Sequence, residues 1–171
     1  MSRLWWFIAG IVFTIVVIGC GGYFFVTSGG VSMETTAPPL PLERTVAQLA
    51  LHANFRDAAG LKNPLPPGEA TMLAGARQYV QHCAVCHGRP GKPPSAISTG
   101  MFPRPPQLLE KDEMVTDDPE GVTYWKVTHG IRLSGMPGFA KTLTDTERWQ
   151  VTMLVANADK TTPAVQAALT R

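Results

Sequence analysis

The sequence predicts an all-α domain behind a single N-terminal helix of membrane length. Three observations carry this. No stretch of the 171 residues alternates apolar and polar side chains as a half-buried strand does. Helix start and stop signals recur from residue 68 onward. The 23 residues from Leu4 to Val26 carry no charge. Glycine (16) and proline (15) are plentiful without the period of collagen, so long loops are expected between helices. With 15 basic and 13 acidic side chains, a formal charge of +2 and no basic run, nucleic-acid binding has no support. Three cysteines are too few for a disulfide scaffold. The composition also excludes a disordered tail, a solenoid and a many-pass membrane protein.

The first element, residues 1–26, reads as a transmembrane anchor. As a helix, Leu4 to Val26 would span about 34 Å. Trp5 and Trp6 at one end, and Tyr23, Phe24 and Phe25 at the other, suit the two membrane interfaces. Arg3 precedes the span and no Lys or Arg follows until Arg44, so the positive-inside rule puts everything after Val26 outside the cytoplasm. Two alternatives compete: a cleaved secretory signal, for which the span is too long, and, better supported, a lipoprotein signal, because Val17-Ile18-Gly19-Cys20 resembles a lipobox. Against it, apolar Tyr23 to Val26 follow the cysteine where polar residues are usual. Either way the rest of the chain stays tethered on the same side.

Residues 27–42 read as a linker, with Ser28-Gly29-Gly30 and then Pro38-Pro39-Leu40-Pro41. Extended, it reaches at most about 55 Å; as a flexible coil it averages about 22 Å. Residues 43–67 are expected to form an amphipathic helix, over 43–57, and a turn-rich break at Asn63 to Gly68. Its face Leu42, Val46, Leu49 and Ala53 is expected to pack on the main domain, with a membrane-surface role as the alternative. The main domain then covers 68–171. A helix fills 68–82. Asp118 caps another, with Pro119 at its first position and Gly130 at its end. Thr144-Asp145-Thr146-Glu147 is a capping box opening a helix to about Asn157, and Thr162-Pro163 opens a last short one. Residues 88–110 form a proline-rich loop without periodicity.

The chemistry lies in Cys83-Ala84-Val85-Cys86-His87. Two thiols three residues apart at a helix end match the spacing that attaches one haem through both vinyl groups, with the following imidazole beneath the iron. A zinc site lacks a second cysteine pair, and a thioredoxin-like pair lacks its strand-helix-strand context. A structural disulfide across two residues is strained. The sixth iron position separates an electron carrier from a reactive haem. Met1 is terminal and Met33 lies in the linker. Met153 and Met72 read as core, and Met114 lies in the acid-rich stretch from Glu110 to Glu120. Met101 and Met136 remain. Met136, between Gly135 and Pro137 and followed by Phe139, is the favoured ligand; Met101, a histidine or an open site are the alternatives.

CAVCHG, followed 49 residues after its histidine by SGMPGF, resembles a class I c-type cytochrome. The layout is similar to membrane-anchored bacterial members of the mono- and dihaem cytochrome c group, with the close match over residues 68–157. The resemblance implies a few helices wrapped around one covalent haem c, with Cys83 and Cys86 attaching it and His87 and Met136 as iron ligands. It implies that Gly75 and Tyr79 pack against a C-terminal helix bearing Trp149, and that Trp125 packs on the haem. It implies a proline carbonyl accepting the His87 ring N–H. Pro93, Pro94 and the prolines between Pro103 and Pro106 are candidates, and Pro94 is preferred.

Softer signals surround this core. Arg104 and Arg132 are candidates for the haem propionates, a surface role being equally open. His82 and His129 read as surface or hydrogen-bonded histidines. From Ala70 to Leu109 the charged groups are Arg77, Arg89, Lys92 and Arg104, which would steer an acidic partner face to the haem edge. The expected function is one-electron transfer with redox protein partners, in the periplasm at a bacterial inner membrane, with no catalytic residue and neither small-molecule substrate nor nucleic acid as partner. The alternatives are a cytochrome subunit of a larger membrane oxidoreductase, for which Gly10, Thr14, Gly19 and Gly22 offer a helix-packing surface, and a haem sensor or peroxidase-like protein with a displaceable sixth ligand.

Overall fold

A computed structural model describes residues 2–170; Met1, set aside above as a ligand, lies outside them. The chain divides into two compact units, one ending at Pro41 and one beginning at Leu42. In the first, α1 (Arg3–Thr27) is a 25-residue helix, one residue longer at each end than the apolar span. Its hydroxyls find partners within the helix: Thr14 donates to the Gly10 carbonyl at 2.9 Å and Thr27 to that of Tyr23 at 2.9 Å. A helix surrounded by lipid requires such internal satisfaction. Length and composition make α1 a candidate membrane anchor or signal sequence, with Cys20 exposed on its side.

The second unit is helical, and among the described residues it contains no strand, only an isolated bridge between Ile131 and Met136. Its helices are α2 (Glu43–Phe55), α3 (Glu69–His82), α4 (Ala84–His87), α5 (Ala96–Gly100), α6 (Glu120–His129), α7 (Asp145–Ala156) and α8 (Pro163–Thr170). Its centre is the packing of α3 on α7, flanked by α6 and α8. Gly75 makes that packing possible: a Cβ there would lie 2.2 Å from the Gln150 carbonyl oxygen. Tyr79, Leu154, Val151, Val165 and Leu169 are fully buried around the crossing. Each such side chain contributes about 1.5–3 kcal/mol through burial. Trp149 stacks on Tyr124 with ring centroids 3.9 Å apart, and Asn63 donates to the Trp149 carbonyl, pinning the turn before α3 to α7.

The capping box at Thr144 forms as expected, with Thr144 and Glu147 each bonding the other's backbone N–H. Three other expectations need correction. The α2 face of Val46 and Leu49 does not pack on the domain: these side chains are 61% and 67% exposed. The opposite face makes the contact, through Phe55 edge-on to Trp125 at 6.2 Å and beneath the Lys126 ammonium. One bulky aromatic ring on that side outweighs three aliphatic chains on the other. Asp118 does not cap α6; its carboxylate pairs with Lys126 at 3.0 Å, and Pro119 occupies the capping position. The proline-rich loop contains the short α5, which Ser95 caps by accepting the Ser98 N–H.

Candidate haem-attachment site

The attachment motif forms one tight turn directly after α3. A four-residue helix such as α4 leaves nearly all its carbonyls without internal partners, so they require donors from elsewhere. Here every one finds a donor. The Ala84 carbonyl accepts the Gly88 N–H at 3.0 Å. Val85 accepts the Ser95 hydroxyl at 2.5 Å, and Cys86 accepts the Gln107 side-chain amide at 3.1 Å. The Tyr79 hydroxyl is shared between the carbonyls of His87 at 2.9 Å and Gly88 at 3.0 Å. Burial, and then the proximity of the ionisable Cys83, push the Tyr79 hydroxyl pKa well up, so it remains a donor. The family-type aromatic on α3 therefore does more than pack: it closes the end of the motif.

The His87 ring is oriented by its Nδ1–H, which donates to the Pro106 carbonyl at 2.8 Å. A carbonyl only accepts, so Nδ1 carries the proton and the neutral ring keeps a free lone pair on Nε2. Burial lowers the His87 pKa more than the Pro106 bond raises it, which favours that neutral form. Among the described residues nothing hydrogen-bonds Nε2. Burial, followed by the nearby Cys86, pushes the Cys83 thiol up to about 12, and both cysteines are free thiols.

The supporting proline is Pro106, not the expected Pro94. Ser95, next to Pro94, is tied to the Val85 carbonyl, and the His87 ring takes its acceptor from further along the loop. The chain then makes α5 and returns past Pro103, bringing Pro106 to the ring. Gln107, next to it and 4% exposed, is the residue that the sequence did not signal. Beyond Cys86 it donates to the Ser98 hydroxyl at 3.1 Å and the Pro105 carbonyl at 3.3 Å. Gly88 accommodates it: φ there is +75°, and a Cβ would sit 2.1 Å from the Gln107 Oε1. Ser95 carries a legible signal, since serine is among the residues preferred at a helix N-cap.

Met136 sits half-buried in the loop after α6. The loop's far end is anchored on α6, where Phe139 and Ala140 donate to the Val127 and Thr128 carbonyls at 2.9 and 3.2 Å. Among the described residues, its tip is hydrogen-bonded only within the loop. Ile131 donates to the Met136 carbonyl, and Met136 donates to the Ser134 hydroxyl at 3.2 Å. Met101 is brought to the same place, its methyl packed against Gly135. Met72 and Met153 are buried in the core, Met33 is exposed and Met114 is half-buried. Of the softer candidates, Arg104 pairs with Glu113 at 3.7 Å and Arg132 is exposed. His82 packs edge-on to Phe139, and His129 lies against Trp125.

The donor chemistry fits a covalently held haem. Two free thiols and an imidazole with an unshared Nε2 lone pair lie on one rigid turn. Among the described residues, no three His, Cys, Asp or Glu side chains gather as a zinc site would require.

Residues 70–153 match the family described as cytochrome c oxidase, cbb3-type, subunit III. No curated protein matches the chain significantly. Among solved structures, a chain of the reducing HAO-like protein complex of Kuenenia stuttgartiensis is 30% identical, with a TM-score of 0.48. The match covers 58% of this chain and 48% of that one, so this chain spans about half the neighbour's length. The segment that the family covers includes both thiols, the imidazole and the favoured methionine. The matched segment is a c-type cytochrome domain, the kind that binds haem c covalently and works by haem-based electron transfer.

Proposed function

We propose that the domain is a mono-haem electron carrier in which Cys83 and Cys86 would hold the haem and His87 Nε2 and Met136 would ligate its iron. The observation that carries this is the Nδ1–H bond to Pro106, which fixes the tautomer with a free Nε2 lone pair. Bound there, haem supplies an iron that cycles between ferric and ferrous. The chain's own part is to hold that iron's surroundings still between the two states, which lowers the reorganisation each transfer requires. A methionine sulfur in the sixth position raises the reduction potential and closes the iron to oxygen and peroxide. In this reading α1 is a single-pass anchor, and the absence of Lys and Arg between Arg3 and Arg44 supports a periplasmic domain.

The family's description supports a second reading of partnership, in which the chain is the cytochrome subunit of a membrane oxidoreductase. Solubilisation in mild detergent separates the two: a free carrier purifies alone, and a subunit brings its catalytic partner with it. The ligation is tested by the near-red absorption of the oxidised protein. A weak sulfur-to-iron band in the wild type that Met136→Ala abolishes is the expected result. No such band in the wild type would overturn methionine ligation and favour the sensor or peroxidase-like alternative.

A further inference from the structure

The carbonyl that orients His87 belongs to a loop residue, Pro106, and a proline offers no N–H through which the loop can be fixed. Position there has to come from its neighbours. Gln107 supplies it. Its side-chain amide reaches three acceptors: the Cys86 carbonyl inside the attachment turn, the hydroxyl of Ser98, which has no exposed surface, and the Pro105 carbonyl. Its backbone N–H donates to the Glu113 carboxylate, and Arg104 stands 3.7 Å from that same carboxylate. Ser98 in turn lies in the short helix capped by Ser95, whose hydroxyl bonds the Val85 carbonyl. Two carbonyls of the attachment turn are thereby cross-linked, through Ser95, Ser98 and Gln107, to the segment carrying the His87 acceptor.

We propose that Gln107 is a positioning residue for His87: it sets the distance between the attachment turn and the Pro106 carbonyl, and so fixes the orientation of the imidazole. This rests on His87 being the iron ligand. A buried amide without partners is costly, so the bonds that Gln107 makes hold this segment, and with it the Pro106 acceptor, in one place.

The test follows the His87 ring N–H by proton NMR of the reduced full-length holoprotein, with the midpoint potential measured beside it. In Gln107→Ala, solvent exchange of that ring proton is expected to accelerate by about tenfold, the loss of one net hydrogen bond. The midpoint potential is expected to rise, because a ring with a weakened Nδ1–H bond donates less charge to its metal. Gln107→Glu keeps the shape but places an acceptor against the Cys86 carbonyl, and the same acceleration of ring-proton exchange is expected. Ser98→Ala removes only the bridging hydroxyl and gives a smaller acceleration; it also serves if the Gln107 variants do not fold. Unchanged ring exchange and unchanged potential, with only thermal stability reduced, would overturn the positioning role. Absence of a histidine ring proton with iron-ligand shifts in the wild type would instead overturn His87 ligation itself.

Discussion

The Cys83–His87 turn and the Met136 loop are built on opposite plans. Every carbonyl from Ala84 to Gly88 has a partner, and three of the donors are side chains 8 to 21 residues away: Tyr79, Ser95 and Gln107. The tip of the Met136 loop is held by Ser134 and Ile131, its own near neighbours, and by van der Waals contact with Met101. A segment tied by long-range bonds opens only when the domain opens, whereas a locally tied loop opens alone. The imidazole side is therefore the fixed half of the site, and the thioether side is the half that yields.

Substitutions break or sharpen this contrast to different degrees. The largest effect is expected at Gly75, which lets α3, the platform of the fixed half, reach α7. In Gly75→Ala the new Cβ meets backbone that cannot turn aside, and stability should fall by about 3 kcal/mol in thermal or denaturant unfolding. Tyr79→Phe leaves two carbonyls at the end of the motif without their donor and should cost about 2 kcal/mol by the same measurement. Met136→Ala should instead separate the two properties. It costs at most about 1 kcal/mol, because its loop yields locally, yet it abolishes the near-red band and lowers the midpoint potential.

How legible each half was follows from the reach of its interactions. The attachment motif, the Met136 loop and the Thr144 capping box are patterns within ten residues, and residue types alone specify them. Pro106, Gln107 and Ser98 act across the 88–110 loop, and their roles depend on where α5 turns the chain. No periodicity records that path, so Pro94 looked the better acceptor on proximity. The α2 helix was legible as a helix, but its buried side was not. Val46 and Leu49 formed the more regular stripe, while the single ring of Phe55 found Trp125. Asp118 before Pro119 has the look of a cap, but Lys126, eight residues on, offers it a stronger partner at 3.0 Å.

Two smaller predictions sharpen the comparison from outside the site. Thr144→Ala should cost about 1 kcal/mol through loss of the α7 cap. The Thr144 backbone N–H and hydroxyl hold the Glu147 carboxyl below its ordinary value of 4.5. Its stabilisation is therefore complete above that value and disappears as pH falls through the lowered one. Acid titration of stability should show this loss in the wild type and a reduced loss in Thr144→Ala. At Leu133, 90% exposed with φ at +64° in the Met136 loop, glycine relieves the backbone. Leu133→Gly should leave the near-red band intact and change stability by less than about 1 kcal/mol, in the favourable direction.

Amide hydrogen exchange of the holoprotein, read residue by residue, tests the contrast between the two halves most directly. The amides of Cys86, His87 and Gly88 should exchange only with global unfolding, at least about a hundredfold more slowly than those of Ser134 and Met136. Equal protection across both segments, or faster exchange at His87 than at Met136, would contradict it.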